Sequence, residues 1–156
     1  MAFAVAGLAT GGCDRDRVFE ENRDFKDYAW RVSEKPAFPF VITDTAARYT
    51  VYLNVRTTAS YPFYNIFVKL ALTGPDKQLI SRRLHELNVR DQSTGRPLGR
   101  GTGDIFDYQV AALRGVRFAR AGTYRAELEQ YMRLGVLPDV MAVGVRVARE
   151  IPAAAH

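Results

Sequence analysis

An all-β chain, folded as an antiparallel two-sheet sandwich of the jelly-roll kind behind a flexible N-terminal tether, is what this sequence predicts. Three observations carry the prediction. Apolar and polar residues alternate with period two through several runs, turn signals recur about every ten residues, and no stretch keeps a helical period beyond about three turns. Short alternating strands with frequent turns belong to sandwiches and barrels, and a jelly roll is preferred here to a partly closed barrel.

The elements follow in order. Phe38 to Thr43, FPFVIT, puts Phe38, Phe40 and Ile42 on one face, and Pro39, which lacks an N–H, predicts an edge or strand-entry position. Arg48 to Arg56, RYTVYLNVR, alternates strictly, with Tyr49, Val51, Leu53 and Val55 against Thr50, Tyr52, Asn54 and Arg56. Ile66 to Leu72 does the same and stops at the turn TGPDK, Thr73 to Lys77. A shorter strand is expected over Leu84 to Val89. The period is then lost from Arg90 to Asp107, RDQSTGRPLGRGTGDIFD, which predicts a long ordered loop. Val110 to Phe118 and Thr123 to Met132 predict a hairpin turning through ARAG, Ala119 to Gly122. Val140 to Ala148 closes a sheet, with Met141, Val143, Val145 and Val147 on its apolar face. No repeat or linker divides the chain. The expected organisation is a signal remnant and tether over 1–17, one sandwich over 18–149, and a tail over 150–156.

Composition narrows the function classes. The chain has 156 residues, 47% hydrophobic and 25% charged, enough to bury a core without cross-links. A single cysteine rules out an intramolecular disulfide and leaves the compartment open. The net charge of +5, from 22 basic and 17 acidic residues, is scattered rather than gathered into a stripe, so no nucleic-acid role is assigned.

That cysteine stands on a boundary. Met1 to Gly12, MAFAVAGLATGG, is apolar and small, and Cys13 is followed at once by DRDR. The run falls short of the ~20 apolar residues that span a bilayer, yet it has the core and small-residue end of a secretory signal without the positive start. A lipoprotein signal ends in a cysteine that is acylated and becomes the new N-terminus. Gly11 and Gly12 satisfy its small positions, whereas Thr10 stands where leucine is usual. On the residues alone the alternative, an apolar tail with an incidental thiol, stays open.

Four runs narrow it. CDRDRVFEENRDFKDYAW (Cys13 to Trp30), YTVYLNVRTTASYPFYNIFVKLAL (Tyr49 to Leu72), RLHELNVRDQSTGRPLGRGTGDIFDYQVAAL (Arg83 to Leu113) and GTYRAELEQYMRLGVLPDVMAVGVRV (Gly122 to Val147) resemble the GldH family of gliding-motility lipoproteins of the Bacteroidetes. YPFYN, TGRPLG followed by GDIFD, and EQYMR followed by LP and MAVGVRV are its specific segments. The resemblance implies Cys13 as the lipid attachment site and an envelope lipoprotein of the gliding machinery, which is linked to type IX secretion. Its implied partners are a membrane, through the lipid, and other gliding or secretion envelope proteins. It also implies a periplasm-facing location, with the outer membrane favoured; Asp14 after Cys13 would favour the inner membrane by the sorting rule of other bacteria.

Other chemistries are weaker. The only histidines, His85 and His156, cannot form a metal cluster or complete a triad, so no enzyme is expected. Asp91, Asp104 and Asp107 gather in the glycine-rich region, where oxygen ligands would suit Ca²⁺. Their spacing is not that of a calcium loop, and turn aspartates usually cap backbone, so no metal or other cofactor is assigned. Tyr61, Phe63 and Tyr64 in SYPFYN, with Tyr28 and Trp30, are candidates for a sugar- or peptide-binding platform if they lie coplanar and open; the competing expectation is that they plug the sandwich. The loop Arg90 to Asp107 is the candidate protein-docking element.

Overall fold

The computed structural model describes residues 14–152. Its elements are β1 (Arg17–Asp24), a single 3₁₀ turn (Lys26–Tyr28), β2 (Ala29–Arg31), β3 (Ala37–Ile42), β4 (Tyr49–Thr58), β5 (Asn65–Thr73), β6 (Leu79–Asn88), β7 (Ile105–Val116), β8 (Gly122–Gln130), β9 (Val136–Pro138) and β10 (Val140–Arg149). Two four-stranded sheets, β1-β10-β4-β7 and β3-β8-β5-β6, form the sandwich, and β2 pairs with β9. Every pairing is antiparallel. The pairs nest as β1 with β10, β3 with β8, β4 with β7 and β5 with β6. Successive long strands change sheet except at β5 and β6, which is a long hairpin rolled up on itself, the connectivity of a jelly roll.

The strongest alternations became the central strands. In β4 the inward residues Tyr49, Val51, Leu53 and Val55 are buried, and in β5 Ile66, Val68, Leu70 and Leu72 face them from the other sheet. β3 occupies an edge, as Pro39 requires, with Phe38, Phe40 and Ile42 buried. Leu72 and Thr73 lead into the one long-strand hairpin, whose turn carries Lys77 at φ 63° and is closed by a Lys77 N–H to Gly74 O bond of 2.9 Å.

Several expectations are corrected. β7 and β8 do not form a hairpin: β7 pairs with β4, and β8 with β3 and β5. The ARAG segment instead carries the chain between sheets, with Phe118 buried edge-on to Tyr124 and Tyr49 at centroid distances of 4.5 and 5.3 Å. Two facing sheets bury both apolar faces on each other, which an isolated hairpin cannot do. In β10 a bulge between Val140 and Ala142 changes the phase, so Val140 rather than Met141 enters the core. β6 begins five residues earlier than Leu84. Strands β1, β2 and β9 were not expected; each is held by pairing rather than by its own apolar pattern. Residues 14–17, assigned to the flexible tether, are tied to the sheet: Asp14 lies 2.6 Å from Arg146, and Asp16 O accepts from Arg149 N at 2.7 Å. Cys13 and the signal remnant lie outside the described residues. No helix among the described residues is long and apolar enough to cross a membrane.

Candidate functional site

The aromatic candidates do not form a platform. Trp30 is fully buried, stacked on Phe25 at 5.2 Å, and its indole N–H donates to Glu34 O at 2.8 Å. The short pairing of β2 with β9 sets it opposite Leu137, also fully buried. Tyr61 is 2% exposed, lies edge-on to half-buried Phe63 at 5.7 Å, and donates its hydroxyl to Asn65 O at 2.9 Å. Burial pushes that phenol well above its ordinary range. Only Tyr64 and Tyr28 are half exposed. Apolar ring faces are worth far more inside a two-layer core than on its rim, and the open-platform reading is corrected accordingly.

The aspartates are dispersed as well. Asp91 Oδ1 accepts from the backbone and hydroxyl of Ser93 (2.9 and 2.6 Å) and of Thr94 (2.8 and 3.0 Å). Those four donors, the Ser93 hydroxyl first among them, hold the carboxyl down to about 2. Asp107 is claimed bidentately by Arg56, at 2.7 and 3.1 Å. Asp104 contributes its backbone oxygen to Ala59 N at 2.8 Å. Among the described residues no three His, Cys, Asp or Glu side chains converge on a metal-sized site.

What these contacts build is a rigid loop. Tyr64 O accepts from the N–H groups of Val89 and Arg90, Leu98 N–H returns to Val89 O at 3.0 Å, and the Tyr108 hydroxyl donates to the same carbonyl at 2.9 Å. The Arg90 guanidinium ties Gly95 O (3.1 Å) to Ala59 O. A Cβ on Gly99 would lie 2.8 Å from the Tyr108 ring, so the loop lies against β7 only because that position is bare. The loop is legible in the sequence, whereas these ties are not.

Beside the loop, the outer face of the β1-β10-β4-β7 sheet forms a polar trough of about 520 Å³. Its floor is one register row: Asn22, Gly144, Asn54 and Gln109 lie abreast on four strands. Asn54 Nδ2 donates to Glu20 (2.9 Å) and Asn22 (3.1 Å), and Gln109 Nε2 donates to Asn54 Oδ1 (2.8 Å). The amides cross the sheet over Gly144, where any Cβ would collide with Asn22 and the Glu21 carbonyl. Sequence reasoning missed this row, although Asn54 had been placed on the outward face of its strand. The amides bond chiefly one another, so the trough is a satisfied network rather than an open set of ligand groups.

At one end of the same sheet Arg146 organises the entry of the chain. It pairs with Asp14 at 2.6 Å and Glu20 at 3.7 Å and lies 5.6 Å over the Tyr52 ring. Its guanidinium lowers the Asp14 carboxyl below the ordinary value. The expected lipid site, Cys13, is the residue before this anchor point.

The comparisons with known proteins agree with the motifs. The chain is 26% identical over 141 residues to the "Gliding motility lipoprotein GldH" of Flavobacterium johnsoniae, covering 89% of this chain and 85% of that one. It is 26% identical over 154 residues to the "Gliding motility lipoprotein GldH homolog" of Christiangramia forsetii, covering 94% and 93%. Among solved structures it is similar to a chain of the infectious bursal disease virus Gx strain, with a TM-score of 0.37 and 16% identity over 97% of this chain and 37% of that one, a likeness too slight to carry any argument. The family described as GldH lipoprotein matches residues 17–147, which takes in the sandwich from the first residue of β1 to within two residues of the end of β10, and the chain belongs to that family.

Proposed function

We propose that this chain is a gliding-motility lipoprotein held in the cell envelope by acyl groups on Cys13. On this reading its sandwich has no catalytic role and serves the assembly or stability of the gliding and type IX secretion apparatus. The observation that carries the reading is the family match: it spans nearly the whole folded body and begins four residues after the only cysteine of the chain. Each buried methylene contributes about 0.8 kcal/mol, so two or more acyl chains hold a domain at a membrane where one holds it marginally. Tethering then raises the local concentration of the domain beside membrane-embedded subunits. The periplasmic side of the outer membrane fits such a role, with the inner membrane as the alternative.

A docking role is supported by the loop over residues 90–104, a largely exposed segment shaped by its own hydrogen bonds. The carbohydrate-binding alternative loses its aromatic platform to the core. Cys13→Ala tests the anchor: the variant is expected in the soluble fraction, and continued sedimentation with membranes would remove acylation as the means of attachment. Deleting Gln92 to Gly103 tests the docking role, which fails if the same envelope proteins still co-purify.

A further inference from the structure

The strand ends of the β1-β10-β4-β7 sheet gather arginine at one end of the sandwich. At one end β1 begins at Arg17 opposite Ala148, β10 finishes at Arg149 opposite Tyr49, and β7 finishes at Val116, also opposite Tyr49. Arginine occupies or flanks each of these termini: Arg15 before β1 and Arg17 on it, Arg48 before β4, Arg114 and Arg117 at the end of β7, and Arg149 on β10. All six are exposed. Four acids share this end with the six arginines: Asp14, Asp16, Asp44 and Glu150. Asp14 is taken by Arg146, and Glu150 accepts from Gly115 N at 2.6 Å and the Thr50 hydroxyl at 2.8 Å, with Arg48 and Arg114 near enough to help hold its carboxyl below the ordinary value. Asp44 accepts from Ala46 N at 2.9 Å and lies 3.5 Å from Arg149. Among the described residues Arg15, Arg48, Arg114 and Arg117 have no carboxylate within ion-pair reach. The opposite end carries acids at its strand termini: β1 closes on Asp24, β7 and β10 are entered from Asp104 and Asp139, and Arg56 is held by Asp107.

We infer that this arginine end is a docking surface for a bilayer carrying anionic headgroups, so that the sandwich stands on the membrane in one orientation. The inference rests on the reading of Cys13 as the acylated residue. Cys13 adjoins Asp14 in the sequence, and Asp14 is itself fixed to the sheet through Arg146. No length of free chain separates the anchor from the arginines, and the end that carries them is the end an acyl group draws to the surface. Guanidinium forks match phosphate geometry, and their attraction to an anionic leaflet adds a second signal to the acyl one. Charge complementarity therefore favours a lipid surface over an apolar partner.

The test uses the full chain with Cys13→Ser, which removes the acyl group from the measurement. Flotation at about 0.1 M salt, where the Debye length is about 10 Å, compares vesicles of phosphatidylcholine with vesicles of equal parts phosphatidylcholine and phosphatidylglycerol. Binding is expected to the anionic vesicles alone and to fade as salt is added. Arg48→Gln with Arg114→Gln is expected to weaken that partition about thirtyfold, roughly fivefold for each arginine near the surface. Arg96→Gln with Arg100→Gln, in the long loop, should leave it within about twofold, since charge beyond a Debye length is screened. Unchanged thermal midpoints confirm that both pairs fold. No preference for anionic vesicles overturns the inference, as does an equal loss from the loop pair. A failure of acylation is read separately, by fractionating the Cys13→Ala strain, and leaves this result unaffected.

Discussion

Replacing Trp30 by alanine separates a core ring from a binding ring. Trp30 has no exposed surface, stacks on Phe25 at an interplanar angle of 18°, and spends its indole N–H on Glu34 O. Truncating a large buried aromatic costs about 3–5 kcal/mol, because transfer free energy is lost and a cavity remains. In a domain of about 150 residues each kcal/mol moves the midpoint by about 2–4 °C, so Trp30→Ala should lower it by about 6–20 °C. Trp30→Phe keeps a ring and loses the hydrogen bond and part of the volume, placing it between the two. Thermal unfolding followed by far-UV circular dichroism reads the shift without using the only tryptophan as its own reporter. In the wild type, iodide should leave Trp30 fluorescence unquenched. A midpoint within about 2 °C of wild type, which corresponds to less than about 1 kcal/mol, or an indole freely quenched by iodide, would refute the assignment of this ring to the core.

Gly144→Ala places a Cβ against the Asn22 amide and the Glu21 carbonyl and must push β1 off β10; a loss of about 1–3 kcal/mol in denaturant unfolding is expected, and an unchanged midpoint would show that the amide row does not depend on the bare position. Asp91, whose carboxyl is held to about 2 by Ser93 and Thr94, should titrate near that value by carboxyl NMR rather than near the ordinary ~3.9. Its folded-state value lies below its unfolded one, so its support of the loop is complete above about pH 4 and is lost as pH falls toward 2. Amide exchange at Ser93 and Thr94 should accelerate through that window, and a flat profile would discard the capping account.

The strands easiest to read, β3, β4, β5 and β8, alternate because inside and outside differ for every second side chain, a local consequence of pleating that any window of residues displays. The boundary at Cys13 is visible for a similar reason, since a change from apolar to charged residues between neighbours needs no fold to be seen. What a window of residues does not contain is the identity of the partner strand. β1, RVFEENRD, carries too little apolar surface to declare itself, and it is a strand because β10 supplies a ladder. Pairing likewise decided that ARAG bridges two sheets, that a bulge reverses the phase at Val140, and that Asn22, Asn54 and Gln109 meet over Gly144. The aromatic candidates were settled the same way: a tyrosine or tryptophan reads identically on a rim or in a core, and only the layer packed against it determines which. Residue type and period are properties of the chain, whereas burial and charge clustering belong to surfaces that exist only once distant strands have come together.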